Sequence, residues 1–348
     1  MRSGDFKQTV EELIVLTDSR LVKFWSAVLI VGLALVPYLV NPHLLSIATM
    51  IMITLVGALG LNILMGYTGL ISLGHVGFLV LGAYGYAVTT EIYGQGPFLG
   101  LLFAGLAPAT AGLIVGAPSL RLKGIYLAIT TLAFAFIINT VILEAEGITK
   151  GAAGIFVTRP TLFGISFASE QAFYWLCLIF AAVALLLSLN IRRSRLGRAL
   201  MAIRDNDIAA RSMGINVNAY KLLAFVISSF VTGIAGALFG MYLSYIAIDG
   251  FGFHLTIEAL AILVVGGLGS VTGVVLGTVL IVFLPELTGI ILGMTGETMQ
   301  GVMATSAFEI RNILYGLVII GFLRFDPSGL FGIWIDIRRA WVNWPLKY

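Results

Sequence analysis

The chain has 348 residues, of which 59% are hydrophobic and only 11% are charged, and its mean hydropathy is +1.04. Soluble proteins average about 25% charged residues, so this composition excludes a water-soluble domain and predicts a surface that mostly faces lipid. The net charge of +3 is too small to indicate a nucleic-acid partner. The one cysteine, Cys177, excludes an intrachain disulfide and lies in an apolar run, which is typical of a packed thiol.

The sequence contains no arrangement of residues that would support catalysis or cofactor binding. The three histidines, His43, His75 and His254, lie on separate segments, and the sequence has no HExxH or CxxC motif. It also lacks the GxxxxGK[ST] loop through which many proteins bind ATP. We therefore expect a chain that is not an enzyme and binds no metal or cofactor.

Long apolar runs predict an all-α polytopic membrane protein with about ten transmembrane or re-entrant helices. A span needs about 20 residues, so the stretch 24–90, which has no Asp, Glu, Lys or Arg, fits three spans with breaks at 37–43 and 66–69. The piece at 255–269 is short enough to be a re-entrant or broken helix. The other spans are expected near residues 97–121, 124–143, 171–190, 220–248, 271–287 and 310–323.

Basic residues gather in four segments, 2–23, 121–123, 192–211 and 324–347. Cytoplasmic loops are rich in Lys and Arg, and with about ten crossings all four segments fall on that side. This pattern predicts cytoplasmic N- and C-termini. It divides the chain into an amphipathic N-terminal segment (1–23), a transmembrane domain (24–325) with periplasmic loops at 144–170 and 285–309, and an interfacial or cytoplasmic tail (326–348).

Glycines interrupt the apolar run Gly66–Tyr86, GYTGLISLGHVGFLVLGAYGY. Non-helical backbone at membrane depth is tolerated only where protein or a water-filled cavity satisfies it. The pattern predicts either a broken helix that lines a translocation pathway or a packing face in which a neighbouring carbonyl satisfies the histidine. The candidate pathway residues here are Asn62, Tyr67, Ser72, His75 and Phe78.

A second interrupted run, Gly266–Gly277, lies in the other half of the chain. Paired interrupted segments indicate a midplane pathway in transporters, although no sequence repeat connects the two halves. Glu258 stands just before this run, and an ionisable residue within a span indicates a functional site. The alternative is a carboxylate near the outer interface, bonded to helix N-terminal amides. Glu258, Gly266 and Gly267 complete the candidate pathway.

Six arginines lie between residues 192 and 211, in a cytoplasmic loop (192–218) flanked by apolar runs. Asp205 is predicted to N-cap a short helix, Asp205–Met213, with Asp207 in its first turn and Gly214 just after its end. Small residues on this helix suit insertion into a cleft of another protein. The alternative is an ordinary basic loop that only marks the cytoplasmic side.

The chain closely resembles LivM-type permeases of bacterial branched-chain amino acid ABC importers. The resemblance covers about residues 55–335 and rests on several stretches in order, among them GLNILMGYTGLISLGHVGFLVLGAY (60–84), SRLGRALMAIRDNDIAARSMGIN (194–216) and EALAILVVGGLGSVTGVVLGTVLIVFLPEL (258–287). It implies that the basic loop couples to an ATPase. The coupling residues implied are Gly197, Arg198, Arg204, Asp205, Asp207, Ile208, Ala209, Ala210, Arg211 and Gly214.

The resemblance also implies partners and a location. They are a LivH-like second permease, two LivG/LivF-like ATPase subunits that use ATP-Mg, a periplasmic binding protein and the lipid of the bacterial inner membrane. The loop TKGAAG (149–154) departs from the TGG or TNG pattern of the family and lacks its acidic residue. Urea, short amides and aromatic acids therefore stay open beside branched-chain amino acids as cargo. The other classes are an ion-coupled carrier acting alone, with Glu258 and His75 as titrating groups, and a passive channel.

Overall fold

The computed structural model describes residues 20–119, 124–162, 164–293, 307–325 and 328–343. Most of the predicted N-terminal amphipathic segment and the basic residues at 121 and 123 lie outside these ranges. The described chain is mostly helical, as predicted. The helices are α1 (Arg20–Leu39), α2 (Pro42–Leu61), α3 (His75–Ala87), α4 (Pro97–Ser119), α5 (Ile125–Glu144), α6 (Glu146–Thr149), α7 (Glu170–Arg193), α8 (Arg195–Asp205), α9 (Asp207–Ser212), α10 (Val217–Leu243), α11 (His254–Gly266), α12 (Val271–Gly293), α13 (Ala307–Phe325) and α14 (Gly329–Asn343).

Local sequence explains where several helices begin. Pro42 occupies the first turn of α2, where its missing N–H costs nothing. The Ser169 hydroxyl caps α7 by accepting a hydrogen bond from the amide of Ala172, and Asn216 caps α10 through the amide of Ala219. Two helices continue into π-helical turns, Asn62–Gly66 after α2 and Val88–Ile92 after α3.

Helix α10 forms the centre of the bundle and packs against α2, α3 and α4. Its backbone approaches α3 closely, because a Cβ on Gly82 would overlap the backbone of Gly233 and one on Gly236 would overlap the carbonyl of Leu79. Small residues at helix interfaces allow such close contact in membrane proteins. The glycine-rich composition therefore serves helix packing as well as turns.

Six helical segments in the described chain are long and apolar enough to span a membrane. They begin at residues 42, 97, 125, 170, 217 and 248, and shorter apolar helices lie at 27–39, 271–286 and 313–322. The chain is thus a multi-pass membrane protein. Helix α11 has 13 residues, or about 20 Å at 1.5 Å per residue, which is shorter than a hydrocarbon core of about 30 Å. It reaches the length of a span only together with the residues before it, from Ile248 onward.

Two boundary predictions were wrong. The span expected at 220–248 ends at Leu243, because Ser244 takes a left-handed conformation (φ 60°) and a short strand follows. The loop expected at 285–309 does not begin at 285, since α12 continues through Pro285 to Gly293, and residues 294–306 of this loop lie outside the described ranges. The all-α prediction also missed four two-residue strands in two antiparallel pairs. Strand β1 (Ile155–Phe156) pairs with β4 (Tyr245–Ile246), and β2 (Thr161–Leu162) pairs with β3 (Ile165–Ser166).

Candidate coupling and translocation site

The basic loop folds into two helices, where the sequence predicted one. The Ser194 hydroxyl caps α8 by accepting a hydrogen bond from the amide of Gly197 at 3.2 Å. Leu200 and Ile203 on α8 are buried, so one face of the helix packs on the bundle. Arg198 and Arg204 on the same helix are exposed. Helix α8 therefore holds the loop against the membrane domain and leaves basic groups at its surface.

The residue that caps the second helix is Asn206, so the predicted cap at Asp205 was wrong. The Asn206 Oδ1 accepts hydrogen bonds from the amides of Ile208 at 3.0 Å and Ala209 at 3.1 Å. Asp205 is instead the last residue of α8. Both residue types are good caps, and the backbone turns one residue later because α8 uses Asp205 for its own last turn.

Helix α9 ends in a Schellman motif. The amide of Gly214 bonds to the carbonyl of Arg211 at 3.0 Å, and the amide of Ile215 bonds to that of Ala210 at 3.1 Å. Gly214 has φ +82°, which confirms it as the residue after the helix end. Ala210 is buried in a small cluster with Ile203 and Val217. Helix α9 is thus fixed at both ends and along one face.

The outer face of α9 carries apolar side chains into solvent. Ile208 is 72% exposed and Met213 is 84% exposed. Ala209 and Arg211 are also exposed, whereas Asp207 is half-buried and its carboxylate lies 4.0 Å from the ammonium group of Lys221. Exposed apolar residues beside charged ones are typical of a protein-binding surface.

The assigned cap predicts different effects for substitutions at Asp205 and at Asn206. Asn206→Ala is expected to remove both side-chain bonds to α9 and to destabilise this helix by about 1 kcal/mol. Hydrogen exchange at the amides of Ile208 and Ala209 should then become several-fold faster. Asp205→Ala should leave these amides unchanged, and Asn206→Asp should retain most of the protection. Equal acceleration in the Asp205 variant would contradict the assigned cap.

Arg204 connects α8 to both glycine-rich turns of the membrane domain. Its Nη1 donates a hydrogen bond to the carbonyl of Gly66 at 2.7 Å. A Cβ on Gly269 would lie 2.6 Å from the same nitrogen, and one on Gly69 would lie 3.3 Å from the Arg204 Cγ. The side chain therefore lies between the turn after α2 and the turn between α11 and α12.

The two turns also bond to each other. The amide of Gly269 donates to the Asn62 Oδ1 at 3.0 Å, and a Cβ on Gly66 would lie 2.7 Å from that amide nitrogen. Asn62 belongs to the π-helical turn after α2, a feature frequent at functional sites. The Asn62 Nδ2 is buried and has no hydrogen-bond partner among the described residues. The two interrupted segments that the sequence places far apart thus meet directly beneath Arg204.

The segment between the turn and α3 is non-helical, and threonine side chains bond to amides in this segment and in the first turn of α3. The amide of Leu73 donates to the Thr131 Oγ1 at 2.9 Å, and that of Val76 donates to the Thr256 Oγ1 at 3.2 Å. The bond between Val76 and Thr256 shows that the starts of α3 and α11 meet. The six residues that connect the turn to α3, 69–74, span at most about 20 Å, and α11 is about as long. This meeting point therefore lies at most about 20 Å from the two glycine-rich turns.

Most candidate pathway residues make interhelical contacts in this structure. The Tyr67 hydroxyl lies 3.1 Å from the Ser188 hydroxyl, Ser72 is buried, and the Phe78 ring lies against that of Phe134, with 4.9 Å between centroids and 37° between the ring planes. Gly266 packs against Gly273. A Cβ on Gly267 would lie 2.6 Å from the carbonyl of Ser328.

His75 and Glu258 lie together on one cavity, which encloses about 40 Å³ between α2, α3, α10 and α11. Their side chains are 4% and 8% exposed. The His75 ring lies against Gly57, whose Cβ would be 3.3 Å from the Nε2. The other lining residues are mostly apolar: Met50, Ile53, Thr54, Gly57, Leu79, Ala235, Phe239, Leu255 and Ala259.

Sequence reasoning missed four residues that build this region. Ser194 and Asn206 each precede a short helix, and a cap signal was available at both positions. Thr131 and Thr256 gave no signal, because each sits in an apolar helix and bonds to an amide distant in sequence.

Comparison with known proteins defines the class. The family model described as branched-chain amino acid transport system, permease component, matches residues 43–323. The chain belongs to this family of ABC importer permease subunits, and it is not itself an enzyme, since the ATPase is a separate subunit.

Particular relatives confirm the resemblance to LivM. The chain is 37% identical to the permease protein LivM of Salmonella typhimurium over 288 residues, which are 76% of this chain and 68% of the relative. It is 36% identical over the same shares to LivM of Escherichia coli K12, and 30% identical over 171 residues to LivH of that organism, about half of each chain. The solved structure of PsaBC from Streptococcus pneumoniae in complex with Fab covers 84% of this chain and 94% of its own, with 16% identity and a TM-score of 0.43.

Proposed function

We propose that this chain forms, with a LivH-like second permease, the pathway through which an inner-membrane importer moves branched-chain or other small amino acids. A periplasmic binding protein delivers the cargo, and two LivG/LivF-like subunits hydrolyse ATP-Mg. The names of the LivM and LivH relatives support this cargo and this pairing. The binding protein docks on the loops opposite the basic end, chiefly residues 144–170.

The contact of Arg204 with Gly66 carries the proposal. The exposed face of α9 receives the ATPase, and α8 continues from it to the Arg204 side chain. That side chain touches the turns at the ends of α2 and α11, two of the four helices that line the cavity. Closure of the ATPases pushes on α8 and α9, which shifts both turns and changes the separation of the cavity-lining helices.

One observation favours a second class. His75 and Glu258 share a cavity, as an ion-coupled carrier acting alone would require. Such a carrier would take up cargo in vesicles that contain only this chain, driven by a proton or sodium gradient. The exposed apolar surface of α9 supports the importer instead, because a carrier that acts alone needs no surface for binding an ATPase.

Reconstitution separates these functions. Liposomes that contain this chain, its second permease and both ATPases should accumulate L-leucine only with internal ATP and a loaded binding protein outside. Parallel tests with urea, a short amide and an aromatic acid identify the cargo within the family. Gradient-driven uptake by this chain alone would refute the importer assignment.

A further inference from the structure

We infer that the cavity bearing His75 and Glu258 is a subsite for the α-ammonium group of the transported amino acid. This inference rests on the proposed function and goes beyond it, because it assigns cargo recognition to the permease itself. The cavity would accept the charged head of the substrate and leave its side chain outside.

The size of the cavity limits what can enter. A water molecule needs a cavity of roughly 10–15 Å³, so the volume of about 40 Å³ has room for a small polar group. An ammonium group is about as large as a water molecule, whereas a whole leucine is several times larger. The cavity therefore fits one small polar group of an amino acid in this conformation.

The chemistry of the walls selects the group. Among the described residues that line the cavity, Glu258 is the only carboxylate, and His75 is the only other ionisable residue. Both side chains are more than nine-tenths buried, and a low-dielectric wall strengthens an electrostatic interaction. A carboxylate attracts a cation and repels the substrate carboxylate. The ammonium group is therefore the end that enters.

Several backbone amides at the cavity are already bonded to protein. Helix N-termini bind anions through free amides, and α3 and α11 both begin here. In α3 the amides of Val76, Gly77 and Phe78 bond to Thr256 and Gly74, and in α11 those of Leu255, Thr256 and Ile257 bond to Gly252 and Phe253. These amides are therefore not available to bind the substrate carboxylate.

The mouth of the cavity suits an aliphatic side chain. Met50, Phe239 and Leu255 line it and are only half-buried, as is Thr54. An amino acid whose ammonium group contacts Glu258 would place its apolar side chain against this collar.

Competition binding tests the inference on the assembled transmembrane complex without the binding protein. Bound radiolabelled L-leucine should be displaced by 3-methylbutylamine, which keeps the ammonium group, and not by 4-methylpentanoate, which lacks it. Glu258→Gln should weaken leucine binding at least about tenfold, since it leaves a buried ammonium group without its counter-charge. Glu258→Asp should restore most of the binding.

The matched control is Glu286→Gln, another acid-to-amide change in this chain. Glu286 lies 3.1 Å from His43 at the opposite end of α2 from Gly66 and outside the cavity, so leucine binding should be unchanged. The inference would be wrong if 4-methylpentanoate displaced labelled leucine as well as 3-methylbutylamine does. It would also be wrong if the complex did not bind leucine, or if only sodium displaced it. The competition between the two compounds is measured on the unmodified complex, so its result does not depend on whether a variant assembles. ATP-driven uptake without a Glu258 effect would refute this inference alone, whereas loss of ATP dependence in the unmodified importer would refute the proposed function.

Discussion

Arg204→Gln is expected to lower ATP-driven leucine uptake by about tenfold or more while the importer still assembles. The change removes the charge-assisted bond from Nη1 to the Gly66 carbonyl, and such a bond contributes about 1.5–3 kcal/mol. That energy corresponds to at least a tenfold change in an equilibrium between two conformations. Uptake and ATP hydrolysis should be measured together in proteoliposomes, because the variant is expected to hydrolyse more ATP per molecule transported.

The structure provides a matched control on the same helix. The Arg198 Nη1 bonds to the carbonyl of Arg193 at 2.8 Å, which is a contact within the loop itself. Arg198→Gln removes an equal charge from α8 and leaves both glycine turns untouched. It should reduce uptake less than twofold if coupling depends on the contact with the turns. Equal losses in both variants would show that only the positive charge of the surface matters.

The sequence predicted the helices well where an apolar run had clear ends. Pro42 and Ser169 stand at breaks in hydrophobicity, so α2 and α7 begin close to their expected positions. Helix α8 was not predicted, because its arginines marked the stretch as a loop, and its apolar residues become a buried face only when Leu200 and Ile203 meet the bundle. Strand β4 was missed for a similar reason, since two residues form a strand only when β1 is beside them.

The sequence predicted which segments form the candidate site, but it did not predict which of these segments contact each other. Glycine-rich interruptions and isolated ionisable residues marked the right segments. The contact of Gly269 with Asn62 joins residues 207 positions apart, and nothing in either segment identifies the other. The same holds for His75 and Glu258, which belong to different halves of the chain and meet only because α3 and α11 both begin at the cavity.

The site and the coupling helices form one continuous structure. The turn after α2 touches Arg204 at its end, and α2 lines the cavity with Gly57 two turns earlier. Helix α11 lines the cavity near its start with Glu258 and reaches the other turn at its end. We therefore expect a shift of Arg204 to move both sides of the cavity through these two helices.

Gly269→Ala is expected to reproduce the defect of Arg204→Gln. Gly269 has φ +80°, and an added Cβ would lie 2.6 Å from the Arg204 Nη1 and 2.9 Å from the Gly66 carbonyl oxygen. The methyl group would displace the guanidinium from between the turns, so uptake should fall by about tenfold.

Gly94→Ala separates this effect from backbone strain. Gly94 has φ +62° and nothing within 4 Å of an added Cβ, so it carries the strain of a left-handed alanine, about 1–2 kcal/mol, without a steric clash. Uptake by this control should stay near the unmodified level. The double variant Arg204→Gln with Gly269→Ala should be no worse than either single variant, because both remove one contact. Additive losses in uptake would mean that the arginine and the turn act independently, and the coupling route through Gly66 and Gly269 would then be wrong.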